Sequence, residues 1–164
     1  MTRRAFFSFH YQQDIWRVNQ VRNSWIIQPG SQKAVWYDAS LWEATKKKGV
    51  AALMNLIDDG LTNTSVTVVL IGSQTYQRRW VKYEIQESHR RKKGLLGIHI
   101  HSLKNEEGET DTKGQNPFDC VYVKGTNPEV CLSQFKYPVY WWGADDGYNN
   151  ICSWIEAAAK QAGR

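Results

Sequence analysis

Ser65-Val66-Thr67-Val68-Val69-Leu70-Ile71 is a nearly continuous apolar, β-branched run, and its reading decides the fold. A strand apolar on both faces belongs inside a parallel sheet that helices cover on each side. Downstream, Trp80-Val81-Lys82-Tyr83-Glu84-Ile85 opens a helix, and Gly94-Leu95-Leu96-Gly97-Ile98-His99-Ile100 reads as a further strand. Strand, helix and strand in that order make a parallel crossover unit.

Working outward, Ala5 to Phe9 is a short apolar strand. Asp14 is positioned to cap a helix on which Ile15, Val18, Val21 and Arg22 recur at helical spacing as far as Trp25. Gln28-Pro29-Gly30-Ser31 is a turn and Ala34 to Asp38 a second strand, while the charged stretch from Leu41 to Gly49 gives no periodicity to read. Val50, Leu53, Met54, Leu56 and Ile57 mark an amphipathic helix ending near Gly60. Tyr137 to Trp142 is a fifth strand, and Ile151, Trp154, Ile155, Ala158 and Ala159 define a terminal helix starting near Asn149 or Asn150. The expected fold is a three-layer α/β, flavodoxin-like domain spanning 1–164, with a five-stranded parallel sheet ordered 2-1-3-4-5. Residues 104–136 lose periodicity and form a loop-rich insertion, a length that suits a lid.

The composition narrows the class. At 164 residues with 41% hydrophobic and 23% charged content, the chain has the make-up of one globular domain. The longest apolar run, Val66 to Ile71, is too short to span a bilayer, and Met1-Thr2-Arg3-Arg4 leads directly into a strand, so a cytoplasmic protein without membrane partners is expected. Cys120, Cys131 and Cys152 are odd in number and widely spaced, which indicates neither a disulfide framework nor a zinc knuckle. A net charge of +5 suits nucleic acid, but much of it lies in Lys46-Lys47-Lys48 and Arg90-Arg91-Lys92-Lys93, and the second run complements a helix C-terminus before Gly94. A nucleic-acid partner is therefore not the expectation. Eight tryptophans are many for this length and suggest that some line a pocket.

The predicted order puts the topological switch point between the first and third strands. A ligand should then bind above Ser8-Phe9-His10 and Gly72-Ser73-Gln74-Thr75. The Glu84 helix begins at that place. Successive helix residues turn by about 100°, so Glu84 lies between Trp80 and Val81 on the inward face, with Arg79, Lys82, Gln86 and Arg90 on the other. An inward carboxylate is either a structural group with a buried partner or a reactive one. No Gly-x-Gly-x-x-Gly follows the first strand and no Gly-x-x-x-x-Gly-Lys-Ser/Thr occurs, so neither dinucleotide-fold nor P-loop phosphate cradle is signalled. His99 and His101 share a strand face and could chelate a metal, but no third ligand follows at a recognisable spacing. Ser8 with His10 as its base lacks a nucleophile elbow.

Phe6-Phe7-Ser8-Phe9 followed by Asp14, Ile71-Gly72-Ser73, Arg79-Trp80-Val81-Lys82-Tyr83-Glu84-Ile85 and, in the insertion, Asn116-Pro117-Phe118 together resemble TIR-like domains. The resemblance is closest to bacterial TIR-like proteins with a flavodoxin-type fold, among them the Thoeris antiphage-defence sensors. It implies an enzyme that consumes NAD as substrate, with no other cofactor and no metal, cleaving the nicotinamide glycosidic bond. The product implied is an ADP-ribose derivative, a cyclic ADP-ribose isomer, serving as a second messenger. By resemblance Glu84 is the catalytic carboxylate and Trp80 a pocket residue. Phe9, with Trp36 or Tyr83, is a candidate for stacking on the substrate, and Ser8, His10 and Arg17 are candidates for contacting ribose or phosphate. The implied partners are NAD, further copies of the chain, a phage-derived trigger and a downstream effector reached through a diffusible nucleotide. The alternative is a non-catalytic TIR-like module that signals by assembly.

Overall fold

A computed structural model describes residues 3–27, 34–35 and 39–164. In chain order the elements are β1 (Ala5–Ser8), α1 (Tyr11–Ile26), β2 (Ala34–Val35), α2 (Ala39–Lys47), α3 (Val50–Leu61), β3 (Val66–Ile71), α4 (Arg79–Arg90), β4 (Gly94–His99), β5 (Val139–Trp141) and α5 (Gly147–Gln161). Helices flank a parallel sheet, as expected. Its body is four strands, β1, β3, β4 and β5, lying side by side in chain order; β2 adds a two-residue pairing at the outer edge of β1, giving β2-β1-β3-β4-β5. The expected five-stranded sheet is thus corrected to four full strands, with the second strand reduced to a two-residue edge pairing, Ala34 opposite Ala5 and Val35 opposite Phe6, in the expected position beside β1. The rest of the expected second strand, 36–38, lies outside the described residues, as does the expected turn at Gln28–Ser31.

Strand parity divides the core. Ala5, Phe7 and Phe9 share one sheet face with Val66, Val68 and Leu70, packed against Val18, Val21 and Trp25 of α1 and Ile151, Trp154 and Ile155 of α5. On the other face Val69 and Ile71 meet Val81 and Ile85 of α4 with Phe118, Val121 and Leu132 of the insertion, while Phe6 meets Ile57 and Leu61 of α3. Phe6 is fully buried, a burial worth about 1.5–3 kcal/mol. Ser8 has the parity of Phe6 and pairs in register with Val69, so its side chain stands on the α4 side.

Several local readings change. His10, not Asp14, caps α1, its Nδ1 accepting a hydrogen bond from the Gln13 amide at 3.0 Å. Asp14 sits inside the first turn and is buried against Gly72, where a Cβ would come within 2.2 Å of its carboxylate. The stretch that gave no periodicity forms α2, with Lys46 and Lys47 in its last turn. At the end of α4 the left-handed position is taken by Lys92 (φ 55°), and Gly94 instead starts β4, where a Cβ would lie 2.6 Å from the Ala158 carbonyl oxygen of α5. α5 begins at Gly147, ahead of the expected asparagines.

Candidate active site

α4 carries Glu84 inward to Ser8 at the end of β1, and the Ser8 hydroxyl donates a hydrogen bond to Glu84 Oε2. Both groups are buried, 5% and 1% exposed. Burial pushes the Glu84 carboxyl up to about 8, and the bond from Ser8, which favours the ionised form, opposes that shift. No cation pairs with Glu84 among the described residues. One helical turn on, the Ser88 hydroxyl donates to the Glu84 carbonyl at 2.6 Å and shares a hydrogen bond with Thr67 of β3 at 2.7 Å, fixing α4 against the sheet.

Glu84 forms the floor of a cleft of about 250 Å³. One wall is an aromatic stack: Phe9 lies 5.0 Å from Tyr11 at 24°, and Tyr11 lies 5.7 Å from Trp42 of α2 at 3°. Trp80 also lines the cleft, braced edge-on by Tyr83 at 5.8 Å and covered by the Arg79 guanidinium at 4.9 Å. Lys46, Arg78 and Arg79 make the rim basic, with Glu43 the one carboxylate there among the described residues. His10 also lines the cleft. With Nδ1 accepting from Gln13, the neutral ring carries its proton on Nε2, which is buried without a hydrogen-bond partner among the described residues. Burial and the neighbouring Arg78 hold its pKa below the usual imidazole value, so the ring is neutral at pH 7.

Of the residues singled out in the sequence, the cleft therefore brings together Glu84, Trp80, Phe9 and His10. Ser8 lies beneath, turned toward the carboxylate. Tyr83 donates to Asp58 at 3.1 Å and supports Trp80 from outside, and Trp36 lies outside the described residues. Arg17 faces elsewhere: its Nε and Nη2 donate to the carbonyls of Leu103 (2.8 Å) and Glu109 (3.1 Å), between Asp14 and Asp111 at 3.8 and 3.9 Å. Tyr11, Trp42, Lys46 and Arg78 are cleft residues that sequence reasoning missed. Trp42 and Lys46 sit in the stretch that gave no periodicity; the excess of tryptophan was the signal for the first and the Lys46-Lys47-Lys48 charge run for the second.

The expected ligand position above Gly72–Thr75 is corrected too. The insertion fills that crevice: Gly114 rests on the Gly72 carbonyl, where a Cβ would come within 2.0 Å, and Asp111 accepts from Ser73 (2.7 Å) and Gln13 (3.1 Å). No residue of 104–136 borders the Glu84 cleft, so the segment does not cover it as a lid in this conformation. His99 and His101 lie 5.7 Å apart, their rings nearly perpendicular, with Trp141 against both. Burial, Lys113 and His101 hold His99 down to about 4, and among the described residues no cluster of three or more metal-ligating side chains occurs. No helix among them is long and apolar enough to cross a membrane.

The family described as Thoeris protein ThsB, TIR-like domain, matches residues 6–105, a span that includes Ser8, His10, Trp80 and Glu84. A protein of Bacillus cereus (strain MSX-D12), whose provisional name is cyclic ADP-D-ribose synthase ThsB1, is 42% identical over 191 aligned positions, covering 94% of this chain and 100% of that protein.

Proposed function

Because the chain belongs to the TIR-like family of Thoeris protein ThsB, we propose that it is an NAD-consuming enzyme acting as one domain in antiphage defence, converting NAD to a cyclic ADP-ribose isomer. The observation that carries this reading is a single buried carboxylate, Glu84, at the floor of a cleft with aromatic walls and a basic rim.

The chemistry asks little else of the protein. The bond from ribose C1′ to the nicotinamide nitrogen breaks, its electron pair stays on that cationic nitrogen, and nicotinamide leaves neutral without a general acid. Positive charge develops at C1′, and an ionised Glu84 stabilises it more than the ground state. The cationic pyridinium itself draws Glu84 toward its ionised form on binding, because an opposite charge close by lowers a carboxyl pKa. Trp80 and the Phe9–Tyr11–Trp42 stack offer faces for nicotinamide and adenine. Arg78, Arg79 and Lys46 suit the pyrophosphate, and the His10 Nε2 proton suits a ribose hydroxyl or the nicotinamide amide oxygen. Cyclisation follows when an adenine nitrogen or ribose hydroxyl of the same molecule attacks C1′, a hydroxyl nucleophile then losing its proton; water at that position gives linear ADP-ribose.

The test is mass spectrometry of small molecules in cells carrying wild-type protein or Glu84→Gln, before and after phage challenge. Loss of NAD and a new ADP-ribose-derived species with wild-type protein alone are expected. Equal nicotinamide release by Glu84→Gln would overturn the assignment of the carboxylate. An unchanged profile with folded wild-type protein under effective challenge would overturn the enzymatic reading in favour of signalling by assembly.

A further inference from the structure

The C-terminal half of α4 borders a second cavity that shares no residue with the Glu84 cleft. Its volume is about 530 Å³, against about 250 Å³ for the cleft, and within the ~300–1,000 Å³ typical of small-molecule sites. The insertion builds one side through Tyr122, Val123, Lys124, Leu132 and Phe135; Gln86 to Lys93 build the other, with Tyr137 and the end of α5.

Two properties of its lining point to the same ligand chemistry. The first is an aromatic surface left partly bare. Phe135 packs edge-on to His89 at 4.5 Å and nearly parallel to Tyr137 at 6.1 Å, yet Phe135 and Tyr122 each remain 45% exposed. His89 and Tyr137 are locked to each other by a hydrogen bond of 2.6 Å from Nδ1 to the phenol oxygen, so the ring surface is preorganised. The second is charge. Arg90, Lys92, Lys93 and Lys124 line the cavity against one carboxylate, Glu87, which Arg90 grips through three hydrogen bonds of 2.8–3.2 Å and Arg91 approaches at 3.5 Å. Lys93 is turned to the Thr64 carbonyl. Lys92 and Lys124 stand exposed at the rim, the Lys124 ammonium resting 5.5 Å over the Tyr83 ring just outside the cavity. A neutral apolar ligand would leave that rim unmatched, and a bare inorganic anion would leave the rings uncovered.

We propose that this cavity is a second small-molecule site, separate from the Glu84 cleft, which binds a flat aromatic anion of mononucleotide size, its ring on Phe135, Tyr137 and Tyr122 and its charge at Lys92 and Lys124. The site does not depend on what Glu84 does. Isothermal titration of the full chain with AMP tests it, with adenosine and inorganic phosphate as half-ligands. AMP is expected to bind more tightly than either half. Phe135→Ser should weaken it about five- to a hundredfold, the loss of one ring stack, and the pair Lys92→Glu with Lys124→Glu should abolish its advantage over adenosine. Glu84→Gln and Trp42→Ala should leave this component of the binding unchanged and remove only what AMP the Glu84 cleft itself takes. Absence of AMP binding at millimolar concentration overturns the proposal, as does binding lost through Trp42→Ala and kept in both rim variants. Phe135→Ser gives up the ring contacts with His89 and Tyr137, and Lys92→Glu puts an anion at the α4 C-terminus, so the thermal midpoint of each variant is measured alongside and binding is compared below the lowest of them.

Discussion

At the scale of single residues the site turns on one carboxylate and one hydroxyl. Glu84 was legible in the sequence because helical spacing puts it between Trp80 and Val81, on a face where a charge is costly. The role of Ser8 was not, although strand parity with Phe6 places it on the α4 side, because the facing helix could not be docked from one sequence. The pair sets a pH dependence. With the Glu84 carboxyl raised to about 8, the free protein holds it largely protonated at pH 7, and kcat/KM for nicotinamide release should rise with pH through that value. The profile of kcat should have a lower midpoint, since the bound pyridinium favours the carboxylate. Ser8→Ala removes a hydrogen bond that favours the ionised form. Such bonds are worth about 1.5–3 kcal/mol, so the kcat/KM midpoint should move up by about one to two pH units, with kcat/KM at pH 7 about ten- to a hundredfold lower. Steady-state rates from pH 6 to 10 for the two proteins check this; an unshifted midpoint would mean that Ser8 does not act on Glu84.

At the scale of elements, β3 and α4 were readable because each has a strong period of its own, apolar on both faces for the strand and on one for the helix. α2 was not, since its residues Glu43, Lys46 and Lys47 mask a short apolar stripe, and with it went Trp42 and the aromatic wall. The insertion was visible as a loss of period, but its docking rests on contacts distant in sequence: Arg17 to Leu103 and Glu109, Gln13 and Ser73 to Asp111, and Gly114 on Gly72. Nothing local announces such contacts. They make Gly114 a point where the insertion is tied to the sheet. A Cβ there would meet the Gly72 backbone oxygen, which cannot swing aside as a side-chain end does. Gly114→Ala should therefore cost about 1–3 kcal/mol, as overpacking does, and should raise hydrogen-exchange rates for residues 103–116 more than for β3. Denaturant unfolding and peptide-resolved exchange measure the two effects. Uniformly unchanged exchange would show that the segment is held without this contact.

At the scale of the whole molecule, the fold places a group of high desolvation cost at the carboxyl end of a sheet that otherwise buries hydrocarbon on both faces. The cost appears in stability. A carboxyl with a folded pKa above its unfolded value keeps its proton after the unfolded chain has released one, so the unfolded state binds fewer protons through that window. Stability then falls as pH rises. For Glu84 the window runs from the model-compound value of 4.5 to about 8. Asp14, raised to about 6 mainly by burial, acts in the same direction over the lower part. Glu84→Gln removes only the first contribution, because glutamine keeps the shape and an oxygen able to accept from Ser8 but carries no titrating proton. The variant and the wild type should thus be close in stability near pH 5, and the variant should become progressively more stable toward pH 8; the slope left in the variant below pH 6 is the balance of Asp14 against the histidines of lowered pKa, His99 above all, which make stability rise with pH there. Unfolding free energies from urea titrations at intervals between pH 5 and 8.5 measure the divergence. Parallel curves would mean that Glu84 is ionised at the same pH folded and unfolded, and would remove the raised pKa from both the stability and the rate arguments.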